Sequence, residues 1–296
     1  MKKKGYFFAI VSAVSYGLIP AFIIPVKEAG FSLDKTLFYR FFISAMFLLV
    51  YLIRKKESLR VTPKDFLIMI ILGLFYALSS EFLFLGYDYL SPGIASTILF
   101  VYPVIVALVM MVFFKETISK ATVLSLILTI LGVFVLSLKD ATFSINFIGL
   151  SIALLSALFY ALYIIIINKA NVSFSGMKIT FYSLLFSSLY YFIKVLWSQD
   201  GLAIDLYTLG NFTLFAFITT VVSISTLVYA IQMIGSTPTS IMGALEPVVA
   251  VLVSVLFFQE QFTIGLFLGV MFIVIGVILN IISESKKQKQ IREVEG

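Results

Sequence analysis

Two acidic side chains stand inside apolar stretches of this chain, Glu81 and Glu246. An ionisable group at membrane depth is expensive, about 2.5 to 3.5 kcal/mol even on insertion scales, so it is a functional candidate by default. There a carboxyl could exchange protons at physiological pH or pair with a cationic substrate amine. The alternative is a structural group hydrogen-bonded to helix backbone. Glu246 directly precedes Pro247, and Tyr102 directly precedes Pro103. A proline within a helix cannot donate its backbone bond, which would free the carbonyls of Gly243 and Leu99. Freed carbonyls in a bilayer are tolerated where protein or a water-filled cavity meets them. Pro103 and Pro247 are therefore expected helix breaks beside a polar cavity.

Other polar residues converge on the same expectation. Glu81 shares a helical face with Leu85 and Asp88, and its counterpart face later in the chain holds Ser225, Tyr229 and Gln232. Together these place a midplane cavity between the third, fourth, eighth and ninth helices. Arg40 is read as a structural partner for a carboxyl or an anchor for a substrate carboxylate. Tyr16 and Tyr160, each with a serine one turn earlier (Ser12, Ser156), could face the cavity or simply pack. Lys194 is expected to snorkel to an interface near Trp197. Glu116 and Glu260 are expected to hold helix ends or gates.

The elements that carry these residues are membrane helices. Of the 296 residues, 61% are hydrophobic and 12% charged, and the mean hydropathy is +1.12. Soluble domains carry about 25% charged residues. Apolar stretches long enough to cross a bilayer predict ten spans, at 5–26, 36–53, 65–88, 92–114, 120–138, 146–168, 176–197, 209–232, 236–258 and 262–282. The fold class is all-α membrane protein. The first stretch begins Met1-Lys2-Lys3-Lys4 and lacks a small-x-small cleavage site, so it reads as a retained helix.

The chain repeats itself at a constant offset of 144 residues. Pro103-Val104 recurs as Pro247-Val248, Phe113-Phe114-x-Glu116 as Phe257-Phe258-x-Glu260, and Gly132-Val133 as Gly276-Val277. Ala9, Ser12, Ala13 and Tyr16 recur as Ala153, Ser156, Ala157 and Tyr160. The repeats are set at 1–143 and 144–296. Five spans per copy is an odd number, so the second copy enters from the opposite face, as in inverted-repeat transporters. Arg54, Lys55, Lys56, Arg60, Lys64, Lys115, Lys169, Lys178 and the basic C-terminus fall on the side of Lys2–Lys4. The positive-inside rule puts both termini in the cytoplasm of a cell membrane, against an anionic inner leaflet. The net charge of +6 then needs no nucleic acid. Small residues at four-residue spacing, Ala121 and Ser125 against Gly265 and Gly269, then Gly132 and Gly276, predict close packing of the fifth and tenth helices. That packing would lie within one molecule or at a homodimer seam.

In the order and duplication of its motifs the chain resembles the drug/metabolite transporter superfamily, specifically the EamA-type ten-helix proteins. The resemblance rests on Tyr16-Gly17, Arg40-Phe41, Leu85-Gly86-Tyr87-Asp88-Tyr89, Pro103 and Lys115-Glu116 in the first half. In the second half it rests on Phe159-Tyr160-Ala161-Leu162-Tyr163, Pro247 and Gln259-Glu260. Tyrosine replaces the family's tryptophan, and the glycine before each glutamate is absent. The resemblance implies gradient-driven carriage of amino acids and related metabolites, drugs, sugars or nucleotide derivatives. Small multidrug-resistance relatives place their glutamate in the first helix; this chain has none there.

Enzymatic readings fare poorly. The chain has no histidine and no cysteine, no acids at metal-ligand spacing and no G-x-x-x-x-G-K phosphate loop. The expectation is a secondary transporter working by alternating access, most simply an exporter of an amino-acid-like metabolite that is either proton-linked or facilitated, with no cofactor. Uptake or exchange of another small solute is the alternative, ahead of a channel or a membrane enzyme acting on lipid-linked substrates.

Overall fold

The computed structural model describes residues 2–19, 21–22, 26, 30–86, 88–89, 98–137, 147–170, 175–198, 201–257 and 263–295. The described residues form helices and connections, with no strand among them. In chain order the helices are α1 (Lys2–Gly17), α2 (Leu33–Arg54), α3 (Pro63–Gly86), α4 (Tyr102–Phe114) and α5 (Lys120–Ser137). They continue as α6 (Phe147–Lys169), α7 (Gly176–Ser198), α8 (Leu206–Ile234), α9 (arms Ser236–Met242 and Leu245–Phe257) and α10 (Ile264–Glu295). A helix is the solution a bilayer imposes on an apolar segment, because every backbone N–H and C=O must be met internally.

Helices α2, α3, α6, α7 and α8 are each long and apolar enough to cross a membrane. Shorter apolar stretches run over Tyr102–Phe114, Lys120–Val135 and Phe267–Ser283. The outward surface carries large apolar side chains such as Phe7, Ile53, Val112, Phe113, Leu196 and Leu256. Soluble monomers rarely expose so continuous an apolar belt. The chain is a multi-pass membrane protein.

Two elements depart from the sequence expectation. The ninth span is interrupted at Gly243-Ala244, where Glu246 N–H bonds to Gly243 O at 2.8 Å. The Gly243 carbonyl is therefore not free, because the chain tightens into a short-range turn to satisfy it. The eighth span contains a π-helical segment, Phe217–Val222. The beginning of the predicted fourth span, and Glu260, lie outside the described residues.

The halves pack reciprocally. Helix α1 lies on α8 and α6 on α3; α1 also meets the second arm of α9, and α6 meets α4. Helix α2 pairs with α7, and α5 with α10. Each of these contacts maps onto its partner under the repeat offset. Equivalent helices run antiparallel. Asp34 is 2.9 Å from Lys194 at one end of the α2/α7 pair, while Glu57 accepts from Ser175 at 2.6 Å at the other. In the α5/α10 pair, a Cβ on Gly132 would lie 2.7 Å from Gly269 O and one on Gly276 2.9 Å from Ser125 O. Ser125 also donates to Gly276 O at 2.6 Å. Two inverted five-helix halves follow from these pairings. The small residues Ser125, Gly132, Gly269 and Gly276 are all engaged within one chain.

Candidate functional site

Glu246 sits on the first turn of α9's second arm, just beyond the break, and is only 4% exposed. Its Oε2 has no hydrogen-bond partner among the described residues. Leaving a buried polar group unsatisfied costs about 1 to 3 kcal/mol, and more for a charged one. Such a group in a native fold calls for an explanation, such as a functional role or a bound water or ion.

Four tyrosines surround this carboxyl within electrostatic reach: Tyr16 on α1, Tyr76 on α3, Tyr102 on α4 and Tyr160 on α6. Both halves contribute. The rings of Tyr102 and Tyr160 meet edge to face at 4.7 Å, Tyr160 stacks on Tyr163 at 6.4 Å, and Tyr163 tilts against Tyr76 at 5.2 Å. The Tyr102 hydroxyl reaches across the α9 break and donates to Ser240 O at 3.2 Å. It fills the space where a Cβ of residue 243 would stand, so only glycine fits there. Among the described residues the hydroxyls of Tyr76 and Tyr163 meet no partner at hydrogen-bond geometry, although Tyr76 lies beside Tyr16 and Tyr163 beside Ser183.

Arg40, 3% exposed, also approaches Tyr16. Its Nε donates to Thr220 Oγ1 at 2.7 Å and its Nη2 to Thr219 O at 3.3 Å. Both threonines belong to the π segment of α8, whose Ala216 carbonyl accepts from Ser44 at 3.2 Å. A π segment leaves carbonyls out of register, and α2 supplies the donors that meet them. The guanidinium also lies over the Tyr16 ring at 5.6 Å and the Phe215 ring at 5.1 Å. Tyr16 is thus in electrostatic reach of both a buried cation and a buried carboxyl.

Glu81 does not join this group. Its Oε1 pairs with Lys194, whose ammonium also lies 2.9 Å from Asp34, and Tyr190 and Tyr191 are its electrostatic neighbours. Two carboxylates hold Lys194, whose side chain stays partly exposed, and Trp197 near the same end of α7 is exposed. The expected cavity holding both glutamates resolves into two separate clusters. Ser225 is buried with an unpartnered hydroxyl. Tyr229 packs on Phe8 at 5.9 Å and faces Gly176 near the start of α7. Ser156 and Ser12 tie helices together: Ser156 donates to Ser79 O at 2.7 Å, and Ser12 O accepts from Ser223 at 3.2 Å. These two bonds are equivalent under the repeat, with donor and acceptor helices exchanged. Pro103 is buried and Pro247 partly buried, each following the polar residue it positions.

Sequence reasoning missed Tyr76, the packing role of Tyr163, the Thr219–Thr220 pair and the Asp34–Lys194 contact. A signal existed in the tyrosines, which interrupt runs of Leu, Ile and Phe at mid-span. The arrangement brings one carboxyl, one guanidinium and several hydroxyls into a buried polar cluster among the helices.

Comparison with known proteins agrees with this architecture. The sequence model of the EamA-like transporter family matches twice, over residues 3–138 and 147–282. The chain is 27% identical over 276 residues to the uncharacterized transporter YvbV of Bacillus subtilis (strain 168), spanning 90% of this chain and 88% of that one. A protein solved by crystallography shares the fold at a TM-score of 0.76, over 93% of this chain and 97% of that one, at 17% identity. With both halves matched and the inverted pairing of helices in place, this chain belongs to the EamA-like transporter family.

Proposed function

We propose that the protein is a secondary transporter that exports an amino acid or closely related zwitterion by alternating access, with Glu246 as the proton-coupling group. The observation that carries this reading is the buried, unpartnered Oε2 of Glu246 at the break of α9, ringed by tyrosines from both halves. Broken helices at the repeat interface are where inverted-repeat carriers hold substrate and coupling ions. Glu246 and Arg40, both in electrostatic reach of Tyr16, offer opposite charges for an ammonium and a carboxylate. A carboxyl that binds either a proton or the substrate amine couples the two by competition, since one site cannot hold both. The basic clusters at Arg54–Lys56 and Lys2–Lys4 support a cell-membrane protein with cytoplasmic termini.

The test is counterflow in proteoliposomes with radiolabelled amino acids, amines and sugars, across an imposed pH gradient. Wild-type protein is expected to exchange a zwitterionic amino acid with pH-dependent flux, and Glu246→Gln to lose that flux. Unchanged transport and pH profile in Glu246→Gln would refute the coupling role; transport confined to sugars would refute the substrate class.

A further inference from the structure

Two surface segments occupy matching places in the halves, at opposite ends of the antiparallel α2/α7 pair. Residues 57–60 follow α2, and residues 201–203 precede α8. Each segment is tethered by a lysine and a tyrosine from the second helix of the other half. Lys178 Nζ donates to Ser58 O and Arg60 O, both at 2.6 Å, and the Tyr182 hydroxyl donates to Leu59 O at 2.5 Å. At the opposite end Lys35 Nζ donates to Ala203 O at 2.9 Å, and the Tyr39 hydroxyl donates to Leu202 O. The repeat offset carries Leu59 onto Ala203 and Tyr39 onto Ser183, the neighbour of Tyr182. Two tethers of the same design therefore close the two ends of one helix pair.

Simple packing does not require them. Surface carbonyls can bond water, whereas Lys178 is only 3% exposed and binds segment 57–60 instead. The two ends differ in one respect. The Asp34–Lys194–Glu81 network ties α2, α3 and α7 together at the end of segment 201–203. At the other end Ser175, just before α7, donates to the Glu57 carboxylate, just after α2. If one half rocks against the other, α2 and α7 separate at one end at a time, roughly 30 Å apart along the helices.

We infer that these tethers are the two gates of the transport cycle. Lys178 and Tyr182 close the end that carries the N-terminus. Lys35, Tyr39 and the Lys194 network close the other. This rests on alternating access as proposed above, and adds which side chains hold each end shut.

The chain has no cysteine, so an introduced one is labelled without background. The probe is Ser225→Cys, at a buried and unpartnered position of α8. A membrane-impermeant maleimide is added to right-side-out and inverted vesicles. Lys178→Met with Tyr182→Phe is expected to raise labelling from the N-terminal face about fivefold or more. Lys35→Met with Lys194→Met is expected to raise it from the opposite face. Increases on the same face, or none on either, would overturn the assignment. Should those variants fold poorly, the pairs Leu59→Cys/Tyr182→Cys and Tyr39→Cys/Leu202→Cys, bridged by a reducible bis-methanethiosulfonate that spans the length of the lost tyrosine, replace them. Each pair is expected to stop transport when bridged and restore it on reduction; transport that continues through a formed cross-link is equally fatal. The labelling does not depend on Glu246, so a failed coupling role and a failed gate are told apart.

Discussion

Gly243→Ala offers a sharp test of how α9 is held open beside Glu246. An alanine Cβ would fall on the Tyr102 hydroxyl and lie 3.1 Å from Tyr102 Cζ and 3.1 Å from Ser240 O. The tyrosine must therefore swing away and lose its bond to Ser240 O. Losing that bond costs about 1 kcal/mol, and overpacking a dense core adds about 1 to 3 kcal/mol. The expected destabilisation is thus about 2 to 4 kcal/mol. Tyr102→Phe alone removes only the bond and should cost about 1 kcal/mol. In the double variant the worst clash is gone, so the two effects should not add; the coupling is expected to be about 1 to 2 kcal/mol in the relieving direction. The assay is reversible denaturation in detergent micelles for the four proteins of the cycle, with counterflow recorded in parallel. A Gly243→Ala protein as stable as wild type would refute the close approach. Strictly additive losses would show that the glycine matters for some reason other than Tyr102.

Two further outcomes follow from local geometry. Ser223→Ala should destabilise by roughly 0.6 kcal/mol, a typical value for an interhelical bond in a membrane protein, because Ser223 donates to the Ser12 carbonyl. Ser12→Ala should cost markedly less, since Ser12 contributes its backbone to that bond; equal losses in the same denaturation assay would contradict the assigned roles. At the start of α8, the Thr208 hydroxyl and then the Tyr207 and Thr208 amides hold the Asp205 carboxyl below the usual carboxylate range. Its folded-state affinity for protons is lowered, so its stabilisation is present above the ordinary carboxylate range and fades as pH falls through the folded value. Asp205→Asn keeps a capping side chain and should lose that acid sensitivity, read as melting temperature from about pH 7 down to about pH 3; an unchanged pH profile would remove Asp205 from the account.

The repeat shows what was legible in order alone. Matching Gly132 with Gly276 and Pro103 with Pro247 at one offset required no coordinates, and an odd number of spans then dictated inversion. Glu246 beside Pro247 likewise announced a break with a buried acid, because the proline effect is local to one helical turn. The Gly243 carbonyl was misjudged for the same reason: the sequence shows a missing donor at residue 247 but not that the Glu246 amide turns to take its place.

Order and composition determined a membrane-embedded, duplicated, inverted helical protein with a polar group at its ninth span. Only the tertiary structure decided that Glu81 belongs with Lys194 and Asp34, that Tyr76 joins Glu246 with Tyr163 packed against it, and that Arg40 serves the π segment of α8. The physical reason lies in the solvent. Lipid tails are as apolar as a protein core, so hydrophobicity does not mark which side of a membrane helix faces inward. Rotation of each helix is fixed by close packing and by polar partners on other helices, and those partners lie far away along the chain.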